Sequence, residues 1–317
     1  MKRQQAFTGT ERLLKGCLHC HTTRTDGKVT PEDTVRLYYQ NGYDFLAITD
    51  HRKFNYIHYA PELPITIIPG MEFDNTFEHG KGFRTYHTLC LGYPKEESLG
   101  YKQDVLMDSG TAQSQEEYQV YLDEMHEKGY VTIHCHPQWS STSLKYFEKL
   151  KGNIAMEIWN SGNAIMYDMD RDAMYWDELL GQGQVIYGVA TDDSHWVPHH
   201  CNGWVMVKSE NTVPAILDAL KNGEFYSSCG PEIYDFYIKD GVAVVECSPA
   251  DRVRFQCDMH PSKVVRAEEG LITHAEFNVD KVWDDGYKYL RATVIDQNGK
   301  FAWTNPIFAE ETAKGEE

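Results

Sequence analysis

The chain has 317 residues, 41% of them apolar, enough core for one large domain or two ordinary ones. A formal charge of −18 disfavours sequence-independent binding of DNA or RNA, which needs clustered Lys and Arg, so no stable nucleic-acid partner is expected. No apolar run reaches the roughly 18–20 residues of a membrane span, the start Met1-Lys2-Arg3-Gln4-Gln5 lacks a signal peptide's apolar segment, and the eight scattered cysteines suit reduced thiols; a cytoplasmic protein without a membrane partner is expected.

In chain order, Leu13-Leu14 leading to Cys17-Leu18 reads as a strand ending on His19-Cys20-His21, with Asp26-Gly27 soon after. Thr30-Pro31-Glu32-Asp33 opens a helix with a capping threonine and a proline at its first position, and Asn41-Gly42 closes it. Phe45 to Ile48 is a second strand, ending on Thr49-Asp50-His51, and Ile65 to Ile68 a third, ahead of Gly70-Met71-Glu72. A helix from Gln115 to Lys128 stops at Gly129, and the strand from Tyr130 to Ile133 ends on His134-Cys135-His136-Pro137. Further helices are expected over Leu144 to Leu150, Asp170 to Leu180 and Pro214 to Lys221, and Val185 to Val189 is a strand before Asp192-Asp193-Ser194-His195. This alternation argues for a parallel sheet with helical crossovers, and closure into a barrel explains best why every candidate ligand follows a different strand. After Gly230-Pro231 the runs 242–247, 253–257, 275–279 and 289–296 read as alternating strands with no convincing helix, and Glu310 to Glu317 as a solvated tail. The expected domains are residues 1–232, a catalytic barrel, and 233–317, a small β-sandwich-like unit.

Side chains at i and i+2 of a strand share a face, so His19 pairs with His21, His134 with His136, Asp193 with His195 and Thr49 with His51, while Asp50, Cys135 and Asp192 face the other way. So many imidazoles and carboxylates at strand ends point to a multinuclear metal site. Cys17 and Cys20 spell C-x-x-C, but they face opposite ways and have no partner pair, which disfavours a redox or structural-zinc role. There is no phosphate-binding G-x-x-x-x-G-K-[ST] loop, no G-x-S-x-G elbow and no H-E-x-x-H pair.

The strings Cys17-Leu18-His19-Cys20-His21 with Thr25-Asp26-Gly27, Ile48-Thr49-Asp50-His51, Gly70-Met71-Glu72, Tyr86-His87-Thr88-Leu89-Cys90-Leu91-Gly92-Tyr93, His136-Pro137 and Asp193-Ser194-His195 resemble, in order and spacing, the polymerase and histidinol phosphatase (PHP) superfamily. Ala215 to Pro231 and Ala302-Trp303-Thr304-Asn305-Pro306-Ile307 are similar to its CehA/McbA-like branch, which joins such a barrel to a β-rich C-terminal region. The resemblance implies an α/β fold, a distorted (β/α)7 TIM-like barrel, holding two or three divalent ions, Mn, Fe or Zn. It places His19, His21, Asp26, His51, Glu72, His87, His136, Asp193 and His195 on ligand positions. It departs from the family at His134, where relatives more often carry an apolar or small residue.

Mixed imidazole and carboxylate ligation suits borderline divalent ions without choosing among them. Glu72 and Asp193 are the natural bridging carboxylates, and with His195 they are the expected catalytic residues, around a bridging hydroxide formed as the pKa of water falls from about 15.7 towards 7. Arg24, Arg52, Lys53 and Arg84 are solvated loop cations or phosphate ligands. His134 is a barrel-interior histidine or a substrate contact, Asn160 a further substrate contact, and His199 a surface residue or a proton donor to the leaving group. The expected activity is metal-dependent hydrolysis of a small phosphorylated molecule such as a nucleotide or sugar phosphate. The same metal chemistry on a carboxylic ester, carbamate or amide is the alternative, and a non-catalytic metal-binding or interaction module is the reading from another class. Oligomeric state is left open.

Overall fold

Short apolar runs separated by capped polar segments set the order of elements. The N-terminal part contains β1 (Gln4–Gln5), β2 (Leu13–Cys17), α1 (Pro31–Gln40), β3 (Phe45–Ala47), β4 (Thr66–Ile68), β5 (Gly70–His79), β6 (Gly82–Leu91), α2 (Gln115–Glu127) and β7 (Val131–His134). There follow β8 (Asn153–Asn160), α3 (Ser161–Tyr167), α4 (Ala173–Gly181), β9 (Tyr187–Thr191), β10 (Trp204–Lys208), α5 (Val213–Lys221) and β11 (Phe225–Ser228). The C-terminal part is β12 (Ile233–Lys239), β13 (Val242–Ala250), β14 (Arg252–Gln256), β15 (Pro261–Val265), β16 (Ile272–Asn278), α6 (Asp280–Asp284), β17 (Tyr289–Ile295), β18 (Phe301–Thr304) and β19 (Ile307–Phe308). This computed structural model describes residues 4–7, 11–79, 82–92, 106–258 and 260–309. Tyr93 and the tail from Glu310 to Glu317 lie outside the described residues.

Helix starts follow the expected cap chemistry. Thr30, Ser114 and Thr212 each accept, through the side-chain oxygen, a backbone N–H three residues on, and Pro31 and Pro214 sit in the first turns of α1 and α5. The 144–150 segment is not an α-helix: only Leu144–Tyr146 turns, as a 3₁₀ helix whose capping position, Ser143, makes no side-chain cap bond. Conversely, the short α6 interrupts a C-terminal region expected to have no helix.

The molecule is a mixed α/β fold. One sheet runs β15-β14-β17-β18-β11-β10-β2-β3-β4, with β19 on β17, and a second runs β5-β6-β7-β8-β9. Pairing is parallel at β2/β3, β3/β4, β7/β8 and β8/β9, but antiparallel at β5/β6, β6/β7 and β10/β2. Helical crossover therefore does not hold throughout: β5 and β6 form a hairpin in which Glu72 faces Leu89 and Asp74 faces His87. The two sheets meet at the strand ends, where Cys20 bridges Ser194, His51 bridges Glu72, and Asn55 bridges Gly70. Between them lies an apolar layer including Leu18, Phe45, Ile68, Leu89, Ile133 and Val189, all fully buried. Each such side chain contributes roughly 1.5–3 kcal/mol by leaving water.

A third sheet, β1-β12-β13-β16, faces the β14-β17-β18 end of the large sheet. Phe236, Val245 and Cys247 from one side and Phe255, Ala292 and Val294 from the other share one core, a two-sheet sandwich arrangement. The chain crosses between the two regions twice, because β1 pairs with β12 and β11 pairs with β18.

Candidate metal centre

The segment after β2 turns back on itself so that His19 and His21 point the same way. Asp50 shapes the turn: its carboxylate accepts the Thr22 N–H and the Thr22 and Thr25 hydroxyls, each at 2.8 Å. Gly27 packs so tightly on His21 that a Cβ there would lie 2.6 Å from the His21 carbonyl, so the close approach requires glycine. After β9, Asp193 adopts φ 47° and donates its N–H to the His19 carbonyl at 3.0 Å, and His136 after β7 has φ 26°. Such left-handed backbone in non-glycine residues costs on the order of 1–3 kcal/mol and clusters at functional sites.

Glu72, on β5 and 1% exposed, is the hub. Its Oε1 lies 2.8 Å from His87 Nδ1, 3.2 Å from His136 Nε2 and 3.4 Å from His19 Nε2. Its Oε2 lies 3.0 Å from His51 Nδ1 and 3.2 Å from His21 Nε2. Asp193 Oδ1 approaches His21 Nε2 at 3.1 Å and His19 Nε2 at 3.4 Å, and Asp193 Oδ2 lies 3.8 Å from His136 Nε2. Asp26 completes the set at the rim, 3.2 Å from His195 Nε2 and 3.6 Å from His51 Nε2. All nine candidate ligands are thus in one connected cluster. His21, Asp26, His51 and His195 form one group whose ligand atoms lie within 4.8 Å of one another, as do His19, His136 and Asp193, His19, His21 and Glu72, and His51, Glu72 and His87.

The carboxylates and imidazoles stabilise each other's charged forms. Burial pushes the Glu72 carboxyl up, yet the His87, His19 and His51 imidazoles outweigh it and hold it well below the usual range. Asp193 behaves likewise, with His19 and His21 overcoming burial. In return burial lowers His19, but Asp193, Glu72 and Glu157 more than compensate and raise it well above an ordinary imidazole. His21 Nδ1 and His51 Nδ1 are buried and make no hydrogen bond, although carboxylate oxygens stand 3.6 and 3.0 Å away. Carboxylates crowded against imidazole nitrogens without hydrogen-bond alignment fit a shared divalent ion, and the donor set suits one.

Glu157, in the apolar run of β8, is a site residue that period-two reading missed. It is fully buried, its Oε1 2.6 Å from both His19 Nδ1 and Thr191 Oγ1, while Oε2 accepts the His136 N–H at 3.1 Å and the Asn160 amide at 3.0 Å. Asp74, two residues beyond Glu72 on the same strand face, also reaches His51 Nδ1, at 3.4 Å; its i+2 spacing is the signal that could have found it.

A cavity of about 530 Å³ opens over the cluster, lined by Asp26, Glu72, Asp193 and His195 among others. His199 also lines it, but burial and the His195 charge lower its pKa to about 4, so it is a neutral acceptor near neutral pH. Asn160 bonds Asp193 Oδ2 at 3.1 Å and caps α3. The expected phosphate ligands are engaged elsewhere. Arg24 donates to the Phe54 carbonyl, Arg52 holds Asp74 at 3.0 Å and the Met107 carbonyl, Lys53 donates to the Arg24 carbonyl, and Arg84 lies over the Tyr146 ring; none is among the residues lining the cavity. His134 also lies outside it, against Phe147, with both ring nitrogens unbonded and its pKa lowered to about 3 by burial and by His136. Lys28 is the cation that does line it.

The chain is similar to several known proteins. A 5'-3' exoribonuclease of Haemophilus influenzae is 34% identical over 82 residues, 25% of this chain and 28% of that protein, so the chain matches under a third of that relative's length. A crystal structure of a two-domain protein containing a predicted PHP-like metal-dependent phosphoesterase, from Bacteroides vulgatus, has a TM-score of 0.50 at 14% identity and covers 97% of this chain and 100% of that one. A structure named a putative metal-dependent phosphoesterase, from Bifidobacterium adolescentis, has a TM-score of 0.39 at 15% identity over 57% of this chain and 87% of that one. The family model described as the PHP domain matches residues 18–170, a span that holds seven of the nine clustered candidate ligands, and over that stretch the chain is similar to PHP domains.

Proposed function

We propose that the protein is a metal-dependent hydrolase acting on a small phosphorylated molecule, a nucleotide or sugar phosphate. The observation that carries this is the convergence of six imidazoles and three carboxylates in one cluster, seven of them lining the cavity, with Lys28 as the cation among the lining residues. His19, His21, Asp26, His51, Glu72, His87, His136, Asp193 and His195 would hold two or three ions, Mn, Fe or Zn, with Glu72 and Asp193 shared between them. When bound, such ions make water nucleophilic near neutral pH and neutralise charge on phosphoryl oxygens. Of the chain's own groups, Glu157 fixes the His19 ring and Asn160 the Asp193 carboxylate. His195, at the rim, donates from Nδ1 to the Asp193 carbonyl at 3.0 Å, which would leave Nε2, 3.2 Å from Asp26, to ligate.

The bridge between Cys20 and Ser194 supports closure of the strands into a distorted (β/α)7 barrel, and residues 1–232 and 233–317 are proposed as its two domains. Eight free thiols support a reducing, cytoplasmic setting. A phosphate ester is favoured over a carboxylic ester, carbamate or amide by the relative named an exoribonuclease. The test is turnover of 4-nitrophenyl phosphate beside 4-nitrophenyl acetate, with Mn, Fe or Zn added in turn. Metal-dependent release from the phosphate, abolished by Glu72→Gln, is expected; release from the acetate alone refutes the assignment.

A further inference from the structure

The cavity rim carries aromatic surface that a sugar phosphate has no use for. Trp196 is 45% exposed, yet it is not a loose side chain: its indole N–H donates to His199 Nε2, and the two rings meet edge to face at 5.2 Å. His199 itself is 1% exposed, so the ring that anchors the indole is fixed within the fold. A half-exposed indole held rigid presents a flat apolar face without the entropy cost of ordering it on binding. Met166 and Tyr167, at the end of α3, line the same cavity and are each about half exposed, and Trp139 stands edge-on to His87 and His136 at 5.5 and 5.0 Å. Charge is as telling: Arg24, Arg52, Lys53 and Arg84 are committed to protein partners, which leaves Lys28 and bound ions to meet an anion. One compact anionic group is satisfied there, and a polyanion is not.

We propose that the substrate is a phosphate monoester whose organic part is a flat ring that stacks on Trp196, with Met166 and Tyr167 flanking it. This rests on the phosphoesterase reading and narrows it, choosing ring-bearing esters over sugar phosphates. In the reaction a water oxygen forms the new bond to phosphorus and the ester phosphorus–oxygen bond breaks. One water proton leaves with the ring-bearing alcohol, and the other stays on the phosphate.

The full chain, loaded with metal, is assayed with 1-naphthyl phosphate and glycerol 3-phosphate, and the ratio of the two kcat/KM values is compared across variants. Trp196→Ala is expected to lower that ratio about tenfold, the range of one aromatic stacking contact, while Trp196→Phe keeps most of it. Should Trp196→Ala fail to fold, Trp196→Leu, which keeps apolar bulk without a flat face, gives the same readout. An unchanged ratio overturns the proposal. If neither ester is hydrolysed, the phosphoesterase reading falls separately, and calorimetric binding of the same two esters decides this one. Weakening confined to 1-naphthyl phosphate in Trp196→Ala upholds it; equal binding by both proteins overturns it.

Discussion

Glu157 is acceptor-only when ionised, and every group that meets it is a donor: the His19 ring N–H, the Thr191 hydroxyl, the His136 backbone N–H and the Asn160 amide. Burial raises its pKa, but His19 outweighs burial and keeps the carboxyl ionised. With the proton of His19 fixed on Nδ1, Nε2 is left free to ligate, an arrangement that sets both tautomer and ring orientation. Glu157→Gln keeps the shape but replaces one accepting oxygen by two N–H groups that face donors, of which only the Thr191 hydroxyl can accept without a change of the His19 tautomer. Its metal affinity is expected to fall about 10–100-fold, measured by chelator competition, with the fold retained by circular dichroism. Unchanged affinity would show that Glu157 is a core residue only. Eight of the nine candidate ligands were legible as His, Asp or Glu at or just beyond strand ends, whereas His87, within β6, came only from the family resemblance. Glu157 was not legible, because it sits in an apolar run and its partner His19 lies 138 positions away. The same distance problem hid the fate of the cations, since Asp74 for Arg52 and Tyr146 for Arg84 are tertiary partners.

Between elements, the joint that matters most is α4 against β17. Arg291 is fully buried, donating to both oxygens of Asp177 at 2.7 and 2.8 Å and lying over the Trp176 ring at 4.6 Å. Tyr289 and Gln256 add hydrogen bonds to the same carboxylate. Because removing one partner strands a buried charge, Arg291→Met is expected to cost about 3–5 kcal/mol of stability, read as a lowered urea midpoint. Asp177→Asn in that background recovers part of the loss, since the lone carboxylate is then gone; a double variant no better than Arg291→Met would overturn this account. Helices with strong caps were legible, and the 144–150 segment was misread for a tertiary reason. The N–H groups of Lys149 and Lys151 are drawn to Gln115 and Gln119 of α2, and the chain leaves the helical path to reach them. The β5/β6 hairpin was hidden because its ligand-bearing ends read as two unrelated motifs.

For the whole molecule, folding gathers Glu72, Glu157 and Asp193 in the interior of a chain that already carries a charge of −18. Without metal, protonated imidazoles must offset those carboxylates. His19, His21, His51 and His195 have folded values raised above 6.5, so their contribution is fully present below about 6.5 and is lost as pH rises through the raised values. Glu72 and Asp193 are depressed below 4.5 and 3.8, so their contribution is present above those values and is lost in acid. Metal binding requires the same imidazoles to be deprotonated and so strengthens in the opposite direction. Removing metal with a chelator is therefore expected to lower Tm, by on the order of 5 °C per ion at about hundredfold saturation. That drop should widen between pH 6 and pH 8.5, because the metal-free protein loses its imidazolium pairs just where the loaded protein binds most tightly. Scanning calorimetry at three pH values with and without chelator measures it, and a difference that stayed constant across the range would mean that the imidazoles do not exchange protons for metal.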